Sequence, residues 1–384
     1  MNRKVLGTII AVVIIAIAAW FVFKPGQETG RGDVTIATVG PISGQYAAFG
    51  EQMKRGLLMA VADLNASGGV LGRKIVAVVE DDACDPKQAV AAANKVAAQK
   101  VKLVAGHFCS SSSIPASAVY AEENILQISP ASTNPAFTDD AAKKGWKDIF
   151  RVCGRDDAQG KVAGQYLAKA FKDKKVAILN DKTAYGKGLA EQTKKFMNEA
   201  GLQEAMYEAY TAGEKDYSAL VSKMKAAGID AFYVGGYHTE AALMIRQANE
   251  MGYHPQLLSG DAMVTDEFWK ITGPAGEGAM MTFQPDPRKS PAAKDLVEKF
   301  KRDNYDPEGY TLYTYAAVQV WAQAAAKANS FDTDKVAAQI SGGTFDTVIG
   351  KLSFQTDKGD VKDPVYVWYQ WHDGKYAEMA PQTN

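Results

Sequence analysis

Only three cysteines and four histidines occur in 384 residues. No pair of them shows metal-ligand spacing, so a metal site is not expected. There is no G-x-x-x-x-G-K-[ST] loop, and no strand runs into G-x-G-x-x-G, which removes the common phosphate and dinucleotide cradles. G-x-S-x-G is absent as well, which argues against a nucleophilic hydrolase. Charge of one sign is also lacking: 43 lysines and arginines face 44 acids, for a net charge of −1. With no basic stripe and no helix-turn-helix, nucleic acid is not an expected partner. No catalytic residue and no cofactor are therefore assigned.

One long hydrophobic run is present. Arg3 and Lys4 precede "VLGTIIAVVIIAIAAWFVF" (Val5–Phe23), which carries no charge, and Lys24 closes it. As a helix it reaches roughly 28 Å, about one bilayer core. A cleaved signal peptide would use Ala16-Ile17-Ala18. That cut leaves an apolar mature end, so the length favours an uncleaved anchor with its basic residues inside. Either way the rest of the chain is exported. "KPGQETGRG" (Lys24–Gly32) reads as a flexible linker. Cys84 and Cys109 each follow an apolar strand-like run; after export they either pair or remain two buried thiols. Pairing across such a loop stabilises by about 3 kcal/mol. Cys153, in "IFRVCG", reads as a small core residue.

Beyond the linker, short apolar runs alternate with amphipathic stretches. "VTIATVG", "KIVAVVEDDA", "VKLVAG", "ILQISP", "KVAILND", "DAFYVGG", "QLLSGD" and "GAMMTF" read as strands. "EQMKRGLLMAVADLNASGG", "PKQAVAAANKVAAQK", "KGLAEQTKKFMNEAG", "DYSALVSKMKAAG" and "TEAALMIRQANEMG" read as helices. Repeated βα alternation with continuously apolar strands predicts parallel sheets covered on both faces. About eleven strands are too many for one sheet, so two doubly wound lobes are expected. The tail alternates and is rich in aromatics. Lys358-Gly359-Asp360 and Asp373-Gly374 mark antiparallel turns there, and a hairpin would run from one lobe back to the other.

In open α/β sheets ligands sit beyond the carboxyl ends of the strands. After "LVAG" come His107, Phe108, Cys109 and the serines Ser110–Ser113. Pro115 suits the first turn of a helix. The serines would then sit at a helix N-terminus, where free N–H groups and the dipole favour an anion. After "ILQISP" come Ala131, Ser132 and Thr133. Two hydroxyl-bearing strand ends are suited to one carboxylate, although helix capping uses the same residues. Further along, Tyr185, Tyr237 and Asp261 each follow a strand. An acid flanked by tyrosines suits an ammonium group, although Asp261 equally suits an N-cap. His107 and His238 read as structural hydrogen-bonders. Donors in one lobe and an acid in the other are complementary to a zwitterion, of which an α-amino acid is the simplest.

"DDACDPKQAVAAANKVAAQKVKLVAGHFCSSSSIPAS" resembles the leucine/isoleucine/valine-binding proteins of ABC importers. "SPASTNPAFT", "DKTAYGKGLA", "TAGEKDYSALVSKMKAAGIDAFYVGGYHTE" and "FDTVIGKLSFQTDKGD" match in the same order. The resemblance covers nearly all of Asp33–Gly374. It implies the type I periplasmic binding protein fold: two Rossmann-like lobes, three crossovers, and a cleft that closes on its ligand. The carboxylate and ammonium contacts of the first lobe fall on Ser110, Ala131 and Thr133, with Ser132 beside them. The disulfide falls on Cys84 and Cys109, the second-lobe tyrosines on Tyr185 and Tyr237, and the side-chain pocket on Phe49, Phe108 and Tyr310. The family's second-lobe acid is usually glutamate; Asp261 is one methylene shorter, so the ammonium sits closer or a water bridges. Phe108 stands where leucine is usual and Phe49 where tyrosine is usual, which alters the side-chain preference.

The resulting expectation is a monomeric, non-enzymatic, extracytoplasmic binder of a branched-chain or other apolar L-amino acid that serves an ABC permease. Residues 1–32 are its leader or anchor with linker. Residues 33–153 and 285–361 form the first lobe, and 154–284 and 362–384 the second. A binder of amides or aromatic acids on the same fold is one alternative, and a membrane-tethered sensor domain is another.

Overall fold

Parallel strands alternate with helices along residues 32–380, the part of the chain described by this computed structural model. The hydrophobic run Val5–Phe23 lies outside the described residues. Among the described residues, no helix is long and apolar enough to cross a membrane.

The first sheet holds β1 (Val34–Gly40), β2 (Ile75–Asp81), β3 (Leu103–Val104), β4 (Leu126–Ser129) and β5 (Ile149–Arg151). All its pairings are parallel and its order is β2-β1-β3-β4-β5. β3 is short, yet Lys102 N to Thr35 O at 2.9 Å and Ala105 N to Ala37 O at 2.8 Å extend its pairing at both ends. The second sheet starts with β6 (Val176–Asn180), β7 (Met206–Ala209), β8 (Ala231–Gly235), β9 (Gln256–Ser259) and β10 (Met280–Phe283). The hairpin β11 (Thr344–Thr347) and β12 (Gly350–Ser353) stands apart. β13 (Val367–His372) and β14 (Lys375–Glu378) then complete the second sheet, in order β14-β13-β10-β9-β8-β6-β7. These last two strands are antiparallel additions, joined through Asp373-Gly374. In both sheets the winding direction reverses once, between β1 and β3 and between β6 and β8. The carboxyl ends at those reversals are where a ligand crevice forms.

One helix is absent from the sequence-based reading. Helix Thr311–Ala328 carries no clear amphipathic stripe, because most of its faces are buried. Its closest neighbour is helix Ala47–Ala66, where a Cβ at Gly56 would lie 2.3 Å from Thr311 O, so only glycine allows this approach. Lys358-Gly359-Asp360 lies in an antiparallel turn, as expected: Phe354 pairs with Val361 and Gln355 N bonds Asp360 O at 2.9 Å. The turn is pressed against β5: Arg151 N bonds Gly359 O at 2.9 Å, and a Cβ at Gly359 would lie 1.9 Å from Ile149 O.

That turn carries a buried charge cluster. Arg151 donates from Nε to Asp360 Oδ1 at 2.8 Å, and Arg155 Nη1 reaches Asp360 Oδ2 at 2.8 Å. Arg151 also bonds Ser132 O at 2.6 Å, Asn134 O at 3.0 Å and the Thr138 hydroxyl at 2.7 Å. Burial opposes ionisation of Asp360, but the two guanidinium groups overcome it and hold the carboxyl below its ordinary value. The cluster ties the segment after β5 and the turn at Asp360 to the loop that follows β4.

Candidate functional site

The loop after β3 turns into helix Ser110–Glu122. The helix begins a full turn earlier than Pro115 suggests, so the serines form its first turn and Pro115 lies inside it. Ser112 N and Ser113 N both bond Cys109 O at 2.9 Å. The Ser110 and Ser111 N–H groups precede the helix's own bonding register. Cys109 is bonded to Cys84, with their Cα atoms 5.5 Å apart, which fixes this turn to the end of β2. His107 has both ring nitrogens engaged, with Asp82 at 2.6 Å and Tyr120 at 2.8 Å, so its role is structural.

The loop after β4 lies alongside. Ser132 donates its hydroxyl to Phe108 O at 2.9 Å and its Oγ accepts from the Ser113 hydroxyl at 2.6 Å, so it holds the two strand ends together. Ser110 Oγ accepts from Asn134 N at 3.2 Å. The Thr133 hydroxyl is buried and has no hydrogen-bond partner.

From the second lobe, Tyr185 enters on helix Ala184–Glu199, whose Thr183 cap accepts from Gly186 N at 3.0 Å. Tyr237 precedes helix His238–Glu250, and Asp261 follows β9. Tyr185 donates to Asp261 Oδ1 at 2.9 Å, and Tyr310 donates to Asp261 Oδ2. Phe108, Ser110, Ala131, Tyr185, Tyr237, Asp261 and Ala262 line one void of about 10 Å³. That is room for about one water. Phe49 stacks on Phe108 with ring centroids 4.4 Å apart, and Tyr310 meets Phe108 edge-on at 5.3 Å. These three rings form an apolar box beside the void.

The sequence reading missed Asp156. It begins helix Asp156–Ala170, the element after β5, and is fully buried. Both its carboxylate oxygens lack a hydrogen-bond partner, and the Thr133 hydroxyl acts on it to favour the charged form. Burial pushes the Asp156 carboxyl well above its ordinary value. Burial also raises Asp261, against the pull of its bonds from Tyr310, Gln159 and Tyr185. Two neighbouring buried acids that resist ionisation are a ready complement to a cation. The visible signal was "GRDDAQG", two adjacent aspartates at the start of a helix, which reads as ordinary helix-dipole matching.

The lobes meet around the site. Asn134 Nδ2 bonds Ala184 O at 2.5 Å, and Gln52 Nε2 bonds Val264 O at 3.3 Å. Glu308 accepts from Asp266 N at 3.0 Å and from the Thr265 hydroxyl at 3.3 Å. Burial, with Asp266 nearby, pushes the Glu308 carboxyl up to about 8. A raised folded-state pKa stabilises below the ordinary carboxylate range, and that stabilisation is lost as pH rises through 8. Calorimetry between pH 5 and 9 therefore shows a melting temperature that falls with pH. Glu308→Gln flattens that fall. Identical slopes in parent and variant contradict this assignment.

Two doubly wound lobes with a buried polar site beyond their strand ends have the architecture of a solute-binding protein. Residues 33–375 match the periplasmic binding protein family, and the chain belongs to that family. It is a solute-binding protein rather than an enzyme. A "Leu/Ile/Val-binding protein homolog 1" of Brucella suis biovar 1 (strain 1330) is 48% identical, with 94% of this chain and 96% of the relative covered. A "Leucine-, isoleucine-, valine-, threonine-, and alanine-binding protein" of Pseudomonas aeruginosa is 41% identical, with 93% and 94% covered. Among solved structures, the leucine-binding protein LivK of Thermotoga maritima superposes with a TM-score of 0.83 at 28% identity, covering 90% of this chain and 98% of that one. LivJ of Streptococcus pneumoniae, solved with isoleucine, gives 0.79 at 26% identity, covering 91% and 100%.

Proposed function

We propose that this protein captures a branched-chain or similarly apolar L-amino acid between its lobes, outside the cytoplasm, and delivers it to an ABC permease. The observation that carries this is the pairing of Asp156 and Asp261, two buried acids with no cation bonded to Asp261, against the free N–H groups of Ser110 and Ser111. An ammonium suits the acids and a carboxylate suits the helix N-terminus. The aromatic box of Phe49, Phe108 and Tyr310 suits an apolar side chain. The names of the relatives support the same ligand class. The bond between Cys84 and Cys109 suits an oxidising compartment. In this proposal the lobes are residues 33–153 with 285–361, and 154–284 with 362–384, and the protein works as a monomer.

Thermal-shift titration against the twenty amino acids tests the proposal. Leucine, isoleucine or valine raises the melting midpoint, and the rise grows with ligand concentration by mass action. A protein stabilised only by amides or aromatic acids, and by none of the amino acids, has a different ligand.

A further inference from the structure

A second set of bonds across the cleft lies away from the void. Glu240 sits in the first turn of helix His238–Glu250 and is completely buried. Its Oε1 accepts three hydrogen bonds: from Gln45 Nε2 at 3.0 Å, from the Tyr46 hydroxyl at 3.2 Å, and from Gly213 N at 3.0 Å. The first two donors belong to the loop after β1 in the first lobe. Only Gly213 belongs to Glu240's own lobe. All three donors are neutral, and the nearby charged group is another buried acid, Asp181.

The same loop makes two more contacts with this helix. The Thr239 hydroxyl donates to Gln45 O at 3.3 Å. The Tyr46 ring lies on the Tyr237 ring with centroids 4.3 Å apart. Tyr237 thus has Tyr46 against one side and lines the void with the other. Glu240 does not line the void. When the lobes part, Glu240 loses two of its three donors and Tyr46 loses its stacking partner. Bonds to a carboxylate are among the stronger hydrogen bonds, so their loss on opening weighs on the equilibrium between open and closed forms.

We infer that Glu240 is a positioning residue for closure: it holds Gln45 and Tyr46 of the first lobe against the second, and so prolongs ligand residence without touching the ligand. The statement about residence rests on the amino-acid proposal above; the statement about closure does not.

Stopped-flow binding of leucine, isoleucine and valine, with small-angle scattering of the ligand-free protein, tests both parts. In Glu240→Gln, ligand dissociation accelerates about tenfold and association changes less than twofold. Tyr46→Phe accelerates dissociation about threefold, and the double variant is no faster than Glu240→Gln alone, because the two act on one bond. The ligand-free radius of gyration of Glu240→Gln exceeds the parent's. Unchanged dissociation together with unchanged scattering overturns the inference. An association rate that falls as much as dissociation rises also overturns it, since that places Glu240 in contact with ligand. If the parent binds none of the three amino acids, the amino-acid proposal fails, and scattering alone decides on closure. Should Glu240→Gln fail to fold, Tyr46→Phe carries the same comparison.

Discussion

Asp261→Ala weakens binding of the captured amino acid by about 30- to 3,000-fold, equivalent to roughly 2–5 kcal/mol. The cost comes from leaving an ammonium group unpaired in a site that holds about one water. Asp156 stays behind as a second acid, so the loss falls short of the upper figure and Asp156→Asn on top of it deepens the effect. Ligand-free stability moves the other way. Burial raises the Asp261 carboxyl, so removing it takes away a group that the fold accommodates at a cost. Isothermal calorimetry and ligand-free melting, measured together, separate the two effects. Equal affinity in parent and variant means that Asp261 does not hold the ammonium. A ligand that lacks an ammonium, such as an amide, is insensitive to the substitution.

Arg151→Met destabilises the fold by about 3–5 kcal/mol, a fall in melting temperature of roughly 10 °C. Arg151 is fully buried and serves four acceptors: Asp360, Ser132 O, Asn134 O and Thr138. Removing it strands part of the Asp360 charge and frees two carbonyls of the loop after β4. Asp360→Asn in the same chain therefore recovers part of the loss. The pH dependence has a definite sign. Asp360 is held below its ordinary value, so its contribution is present above that value and lost as pH falls through the depressed pKa. The parent loses this contribution on acidification, and Arg151→Met has less of it to lose. Denaturant titration at neutral and acid pH measures both. A variant as stable as the parent contradicts the role given to the cluster.

The strands were legible because apolar runs bounded by turn residues are a local property, and the two hydroxyl-rich strand ends were legible for the same reason. Asp261, Tyr185 and Tyr237 stood out because each follows a recognisable strand. Asp156 did not. Its sequence neighbours suggest a solvated helix start, yet the fold buries it, with Gly188 of helix Ala184–Glu199 close to its carboxylate. Helix Thr311–Ala328 hid its periodicity because it is enclosed by other elements, a property of packing and not of pattern. Ser132 looked like its neighbours, yet its hydroxyl is engaged by Phe108 O, a partner 24 positions away. Glu240 and Tyr46 are 194 positions apart, and nothing in either local sequence announces their bond.

The size of the void turns the protein into a gauge. With space for about one water between Phe108, Ala131, Tyr185 and Tyr237, an amino acid is enclosed only as far as these walls and the lobes yield. Under the proposed mode of binding, a side chain that exceeds that allowance keeps its carboxylate on Ser110 but wedges the lobes apart and leaves Tyr46 short of Glu240. The angle between the lobes then encodes how well the cargo fits, and any membrane partner that admits only the shut shape filters cargo by geometry without ever touching it.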